Sequence, residues 1–160
     1  SQSEQGVRIN DQMPLFAFDF LKRQLGLRGL KGFQILLLGV SYRGDVGDTR
    51  YSPVEMFYRL LIEAECEVRA HDYFVDYWSE CELQVETNLE LALADDFDAL
   101  VITASHSEYR NNHSLLQILD QSRGRYVYDT IGLLSEEELG RLRQKHHVIV
   151  LGRGDYQADG

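Results

Sequence analysis

Short apolar runs at 33–40, 99–103, 126–128 and 148–151 recur along this chain with helix-period segments between them, and that alternation constrains the fold more than any other feature. The first run reads FQILLLGV and the second ALVIT. A run apolar at nearly every position is the pattern of a strand covered on both faces, as in a parallel sheet. The stretch 67–72, EVRAHD, alternates as a further strand with Val68 and Ala70 on one face. One helix opens at Ser52 as cap and Pro53 in the first turn, then carries Met56, Phe57, Leu60, Leu61 and Ile62. Another is capped by Asn88 and runs through Ala94, a third centres on Leu115, Leu116, Ile118 and Leu119, and a fourth opens with the capping box of Ser135 and Glu138 and ends near Lys145. Strands and helices in alternation imply right-handed βαβ crossovers. The expected fold is α/β and Rossmann-like, a doubly wound, mainly parallel sheet with helices on both faces.

An N-terminal helix precedes this unit. After a polar, frayed opening over 1–8, Met13, Phe16, Ala17, Phe20, Leu21 and Leu25 recur at helical spacing from Asn10 onward, with Pro14 in the first turn and Gly26 as the stop. Such an apolar helix, joined by a glycine-rich link over 27–32, either leads in from another part of a protein or packs on its own domain. In the first case its stripe is exposed until a second copy or a further part covers it. Residues 73–81 read as a loop or a short helix and 83–86 as a short edge strand. At 160 residues the chain has the size of one domain with an appendage, divided as 1–32 and 33–160.

Composition narrows the function classes. A net charge of −10 argues against a nucleic-acid partner, because phosphate contacts need clustered Lys and Arg. Cys66 and Cys81 lie apart without a CxxC or Cys/His spacing, which points to reduced thiols and away from a metal site. No apolar run approaches the ~18 residues of a membrane span and no signal-peptide pattern opens the chain, so the expectation is a cytoplasmic protein.

The chemistry concentrates in 35–53, ILLLGVSYRGDVGDTRYSP, where a strand ends in a glycine-punctuated loop with two arginines and a helix start. In a doubly wound sheet a ligand sits beyond the carboxyl ends of the strands, which places it beside this loop. Gly39 and Gly44 either admit a ligand to the backbone or serve as turn residues. The run GVSYRG matches neither G-x-G-x-x-G nor a Walker A motif. Arg43 and Arg50 offer planar forks for phosphate oxygens, or else pair at the surface with Asp45 or Asp48. Tyr42 either stacks on a base or sugar or packs at the strand end. Asp72 stands where a dinucleotide-binding domain holds a ribose, or is a polar strand end. His71 with Asp72, and His106 between two serines, invite an acid/base reading that no nucleophile motif supports. His146 and His147 meet a helix C-terminus.

The loop sequence GVSYRGDVGDTRYSPVEM resembles the stretch that opens the C-terminal domain of the UDP-glucose/GDP-mannose dehydrogenase family, where Gly-Leu-(Ala/Ser)-aromatic-Lys and an acidic spacer precede Asp-(Leu/Thr)-Arg and Ser-Pro. EVRAHD, DALVITASHSEYR, VYDTIGLL and the N-terminal VRINDQMP match further family segments in order. The resemblance implies a nucleotide-sugar dehydrogenase of polysaccharide biosynthesis, which oxidises the C6 alcohol of a UDP-sugar or related nucleotide sugar to a carboxylate with NAD, through a thiohemiacetal on a cysteine. It implies that 1–32 ends a central helix that builds a homodimer and that 33–160 is the nucleotide-sugar-binding domain. Tyr42 and Arg43 would contact the nucleotide sugar and Arg50 would reach NAD held mainly by an N-terminal domain, while Gly39, Asp48, Ser52 and Pro53 would shape the loop. Arg43 stands where lysine is usual, and Ile131 and Gly132 replace an Arg-Asn pair after Asp129. Neither a G-x-G-x-x-G segment nor a Gly-x-x-Cys-x-x-Lys-Asp segment occurs in the chain, so it is expected to have no catalytic residue of its own. The alternative is a binding or regulatory module that kept the fold and lost the enzyme.

Overall fold

In the computed structural model, residues 2–25 and 29–151 are described, with side chains from Met13 onward. Five parallel strands form the central sheet: β1 (Gln34–Leu38), β2 (Glu67–His71), β5 (Ala99–Ile102), β6 (Tyr126–Asp129) and β7 (His147–Val150), in the order β2-β1-β5-β6-β7. Numbered by chain order within the sheet this is 2-1-3-4-5, a doubly wound arrangement whose direction reverses between β1 and β5. The register sets Leu38 beside both His71 and Ile102, so the ends of β1, β2 and β5 emerge together.

Successive strand residues point to opposite faces, and both faces are covered. Ile35, Leu37, Ala99, Val101, Tyr128 and Ile149 join one core with α1 (Gln2–Leu25) and α2 (Pro53–Glu63). Leu36, Leu38, Leu100, Ile102, Val127 and Val150 join the other with α3 (Leu89–Ala94), α4 (His113–Gln121) and α5 (Glu136–Arg143). The near-continuous apolar runs therefore mark two-sided burial, as expected. The caps also stand where the sequence puts them. Ser52 Oγ accepts from Val54 N at 3.2 Å with Pro53 in the first turn, Asn88 accepts from Leu91 N, and Ser135 and Glu138 close a reciprocal capping box.

The N-terminal helix differs from expectation at its start, at Pro14 and at Phe16, and it takes the second of the two packings left open. It starts at Gln2, so it takes in the opening expected to be frayed and places Pro14 inside the helix, where its missing N–H removes a rung of the ladder. Its buried row is Met13, Ala17, Leu21 and Leu25, and this row packs on its own domain through the α2 side of the sheet. Phe16, expected on that row, faces out with Leu15, and Phe20 is half-buried with its ring edge on Tyr128. The stop expected at Gly26 lies outside the described residues. The short edge strand expected at 83–86 is a strand at β4 (Leu83–Gln84), which pairs with β3 (Tyr77–Trp78) apart from the main sheet, with a 3-10 turn at Ser79–Cys81 between them. Only Glu86 reaches the main sheet, by a bridge to His71.

Candidate functional site

At the reversal between β1 and β5, the loop 39–52 lies against the segments that follow β2 and β5. Gly39 turns the chain with φ +98°, and a Cβ there would run into Ala104. Gly44 lies against Ser105 so closely that any side chain would meet its carbonyl oxygen. Both glycines thus spend their missing side chains on contact between two loops, which corrects the idea that they clear space for a ligand. Thr103 Oγ1 donates to Gly39 O at 2.5 Å, and Tyr42 N donates to Asp48 O at 2.8 Å, closing the loop on itself.

Asp72 and His106, both without solvent exposure, lock this arrangement. Asp72 Oδ2 accepts from Val40 N at 2.8 Å and from His106 Nε2 at 2.9 Å, while Oδ1 accepts from Phe74 N at 2.8 Å. Its acceptor sites are turned inward, so it does not face a ribose. His106 Nδ1 accepts from Asp45 N at 2.8 Å, which places the ring proton on Nε2. That proton points at Asp72, with Ser41 Oγ 3.3 Å away and itself donating to Arg43 O. Serine and aspartate therefore share one ring nitrogen, and the group braces loops instead of relaying protons. Asp45 completes the clasp by accepting from Ser107 N and Oγ at 2.9 and 3.0 Å, and these bonds hold its carboxyl below the usual range. His71 points its Nδ1 at Tyr109 Oη, 2.8 Å away under the same loops, and burial lowers its pKa.

On this frame the outward groups are Tyr42, half-buried, and Arg43, exposed, whose carbonyl accepts from Ser41 Oγ and whose guanidinium makes no hydrogen bond or ion pair with another described residue. Arg50 is 74% exposed and forked onto Asp48, with Nε to Oδ1 at 3.0 Å and Nη2 to Oδ2 at 3.1 Å. The pairing pulls the Asp48 carboxyl down to about 2 and raises Arg50. Asp48 thus accepts from Tyr42 N through its carbonyl oxygen and orients the arginine through its carboxylate. Asp129, two residues before Ile131, is also buried and accepts from Ile131, Leu133 and Leu134 amides, which folds the β6 loop inward. Ser41 was not singled out from the sequence, and Asp45 and Ser107 entered it only as a possible surface partner of the arginines and as a neighbour of His106, since their actual partners lie across the loop contact. Burial pushes the Cys66 thiol up to about 11 and Cys81 up to about 12, so neither is a ready nucleophile. Among the described residues no cluster suits a metal, and no helix is long and apolar enough to cross a membrane.

The family model described as UDP-glucose/GDP-mannose dehydrogenase family, UDP binding domain, matches residues 36–136, a span that holds the whole loop and its clasp. The chain belongs to this family. It corresponds to the C-terminal UDP-binding domain of such proteins. The UDP-N-acetyl-D-mannosamine dehydrogenase of Methanocaldococcus jannaschii is 30% identical over 153 residues, covering 91% of this chain and 32% of that protein. A solved UDP-D-ManNAc dehydrogenase from Pyrococcus horikoshii superposes with a TM-score of 0.72 at 28% identity, over 92% of this chain and 32% of that one. The NDP-N-acetyl-D-galactosaminuronic acid dehydrogenase of Methanosarcina mazei, at TM-score 0.68 and 24% identity, shares the fold over 90% of this chain and 30% of its own. The chain thus spans about a third of the length of the relatives it matches.

Proposed function

We propose that this chain is the substrate-binding part of an NAD-dependent nucleotide-sugar 6-dehydrogenase of the cytoplasm. It holds the nucleotide of a UDP-sugar while another domain supplies the cysteine and the hydride acceptor. Tyr42 and Arg43 contact the nucleotide sugar, and Gly39, Asp48, Ser52 and Pro53 fix the loop that carries them. In this reading 1–32 leads in from a central helix that builds a homodimer, and 33–160 is the binding domain. The observation that carries the reading is Arg43: a guanidinium left unpartnered among the described residues, on a clasped loop at the sheet's reversal point and inside the matched segment. Arg43 keeps the cationic character of the family's lysine and adds a fork suited to phosphate oxygens.

The residues present do not build a dinucleotide site of their own. Gly39 and Gly44 are filled by Ala104 and Ser105, and Asp72 is occupied by three internal donors. NAD would be held chiefly elsewhere, and Arg50 is the group here that would reach it.

At 100 times its Kd a ligand stabilises a fold by about 2.7 kcal/mol, or on the order of 5–10 °C in Tm for a domain of this size. UDP-N-acetyl-D-mannosamine, the sugar nucleotide in the names of the relatives, is the first ligand to try. Arg43→Ala removes most of the shift. Melting curves unmoved by a UDP-sugar, a GDP-sugar and UDP alike defeat the proposal.

A non-catalytic binding module is the second reading, favoured by Ile131 and Gly132 at the place of the family's Arg-Asn pair. The gene on either side of this chain separates the two. An in-frame G-x-G-x-x-G domain with a Gly-x-x-Cys segment supports the dehydrogenase, and a frame without them supports the module.

A further inference from the structure

Residues 49–52 form a turn closed by Ser52 N donating to Thr49 O at 3.4 Å, and its third position is Tyr51 with φ +60°. A left-handed conformation at that position favours Gly or Asn, and a bulky aromatic there is an outlier. The other non-glycine residues at positive φ have local reasons. Asp45 reaches Ser107, Glu65 follows the end of α2 with its amide on Ile62 O, Glu82 caps the 3-10 turn, and asparagine at 111 tolerates the conformation. Tyr51 has none. Its side chain is 91% exposed, belongs to neither core, and makes no ring contact with another described residue.

A backbone held in a strained conformation to display an aromatic that the fold does not use points outward, to function. The neighbouring residue says to what. Arg50 is oriented by Asp48 through Nε and Nη2 only, so the remaining donors of its guanidinium face away from the pair. A flat aromatic face beside an aimed guanidinium matches the two halves of a nucleotide, a base to stack on and a phosphate to grip. Both residues stand just before α2, on the loop that carries Tyr42 and Arg43 and so at the carboxyl edge of the sheet.

We propose that Tyr51 is a nucleotide-binding residue, its ring stacked on the base of a nucleotide whose phosphate Arg50 holds. The inference rests on the nucleotide-binding reading above and adds a residue and a contact to it. Two nucleotides offer this chemistry, the uridine nucleotide of the substrate and the dinucleotide that another domain would present.

Titration calorimetry of this chain with UDP, NAD and ribose 5-phosphate, beside its melting curve, tests the contact. Tyr51→Asn suits the turn, so it melts at the same temperature or higher, yet it weakens the base-bearing ligand about tenfold. Tyr51→Gly does the same, Tyr51→Phe restores affinity, and ribose 5-phosphate, which has no base, binds all forms alike. A loss confined to UDP identifies the substrate's nucleotide, and one confined to NAD identifies the dinucleotide. If UDP or NAD binds and Tyr51→Asn alters neither, the stacking proposal is overturned and the nucleotide-binding reading stands. A melting point that falls in both Tyr51→Asn and Tyr51→Gly also overturns it, since the ring is then structural. Wild-type chain that binds no nucleotide overturns both.

Discussion

Gly39 is fixed twice, by a φ of +98° and by Ala104 standing where a Cβ would be. Gly39→Ala therefore meets left-handed strain of ~1–2 kcal/mol and overpacking of ~1–3 kcal/mol, and denaturant unfolding should show a loss of about 2–5 kcal/mol. A loss under about 0.5 kcal/mol contradicts the packing described. Residue identities in this loop were legible and several roles were not. Asp72 and His106 are conspicuous in the sequence, but their bond to each other joins positions 34 apart and the contact of Ser41 with His106 joins positions 65 apart. Spacing along a chain carries no trace of such partners, so an acid/base group and a brace look alike until the loops meet. Arg50 and Asp48 sit two positions apart, and their pairing was accordingly foreseen as one of two outcomes.

Among the elements, α2, α3 and α5 were readable because a cap is a local device: Ser52, Asn88 and the Ser135–Glu138 pair each satisfy amides within three residues. Helix α1 was harder, because periodicity gives an apolar face without saying what covers it. The buried row Met13, Ala17, Leu21 and Leu25 shows that this domain covers it, while Leu15 and Phe16 remain exposed. Leu21 has no solvent exposure, so Leu21→Ala should cost about 2–5 kcal/mol of unfolding free energy measured on this chain. A helix that merely passes by would lose under about 0.5 kcal/mol at this site, as surface positions do. Of the β3–β4 hairpin only the second strand was read, within 83–86, and its pairing with Tyr77–Trp78 was not, because strands of two residues are too short to show a period.

The molecule as a whole is a two-faced sheet whose carboxyl edge carries the clasped loop, and it has a pH limit built into its interior. Burial lowers His71, with the Thr87 backbone and Asp72 opposing in part, and burial lowers His146, opposed by its bond to Leu119 O. Folded values below the ~6.5 of an unfolded histidine mean that the unfolded chain takes up protons first as pH falls. Stability is then full above about pH 6.5 and declines below it, so Tm should drop between pH 7 and about 5. A flat Tm down to the carboxylate range near pH 4 contradicts this. The central claim, that a nucleotide sits where β1 and β5 part, is tested most directly by titrating UDP into isotope-labelled chain and following backbone amides by NMR. Shifts concentrated in 39–52 and 103–110, and lost with Arg43→Ala, are the predicted result. Shifts at the opposite edge, around Phe97, Arg123 and Arg125, or no shifts at all, contradict it.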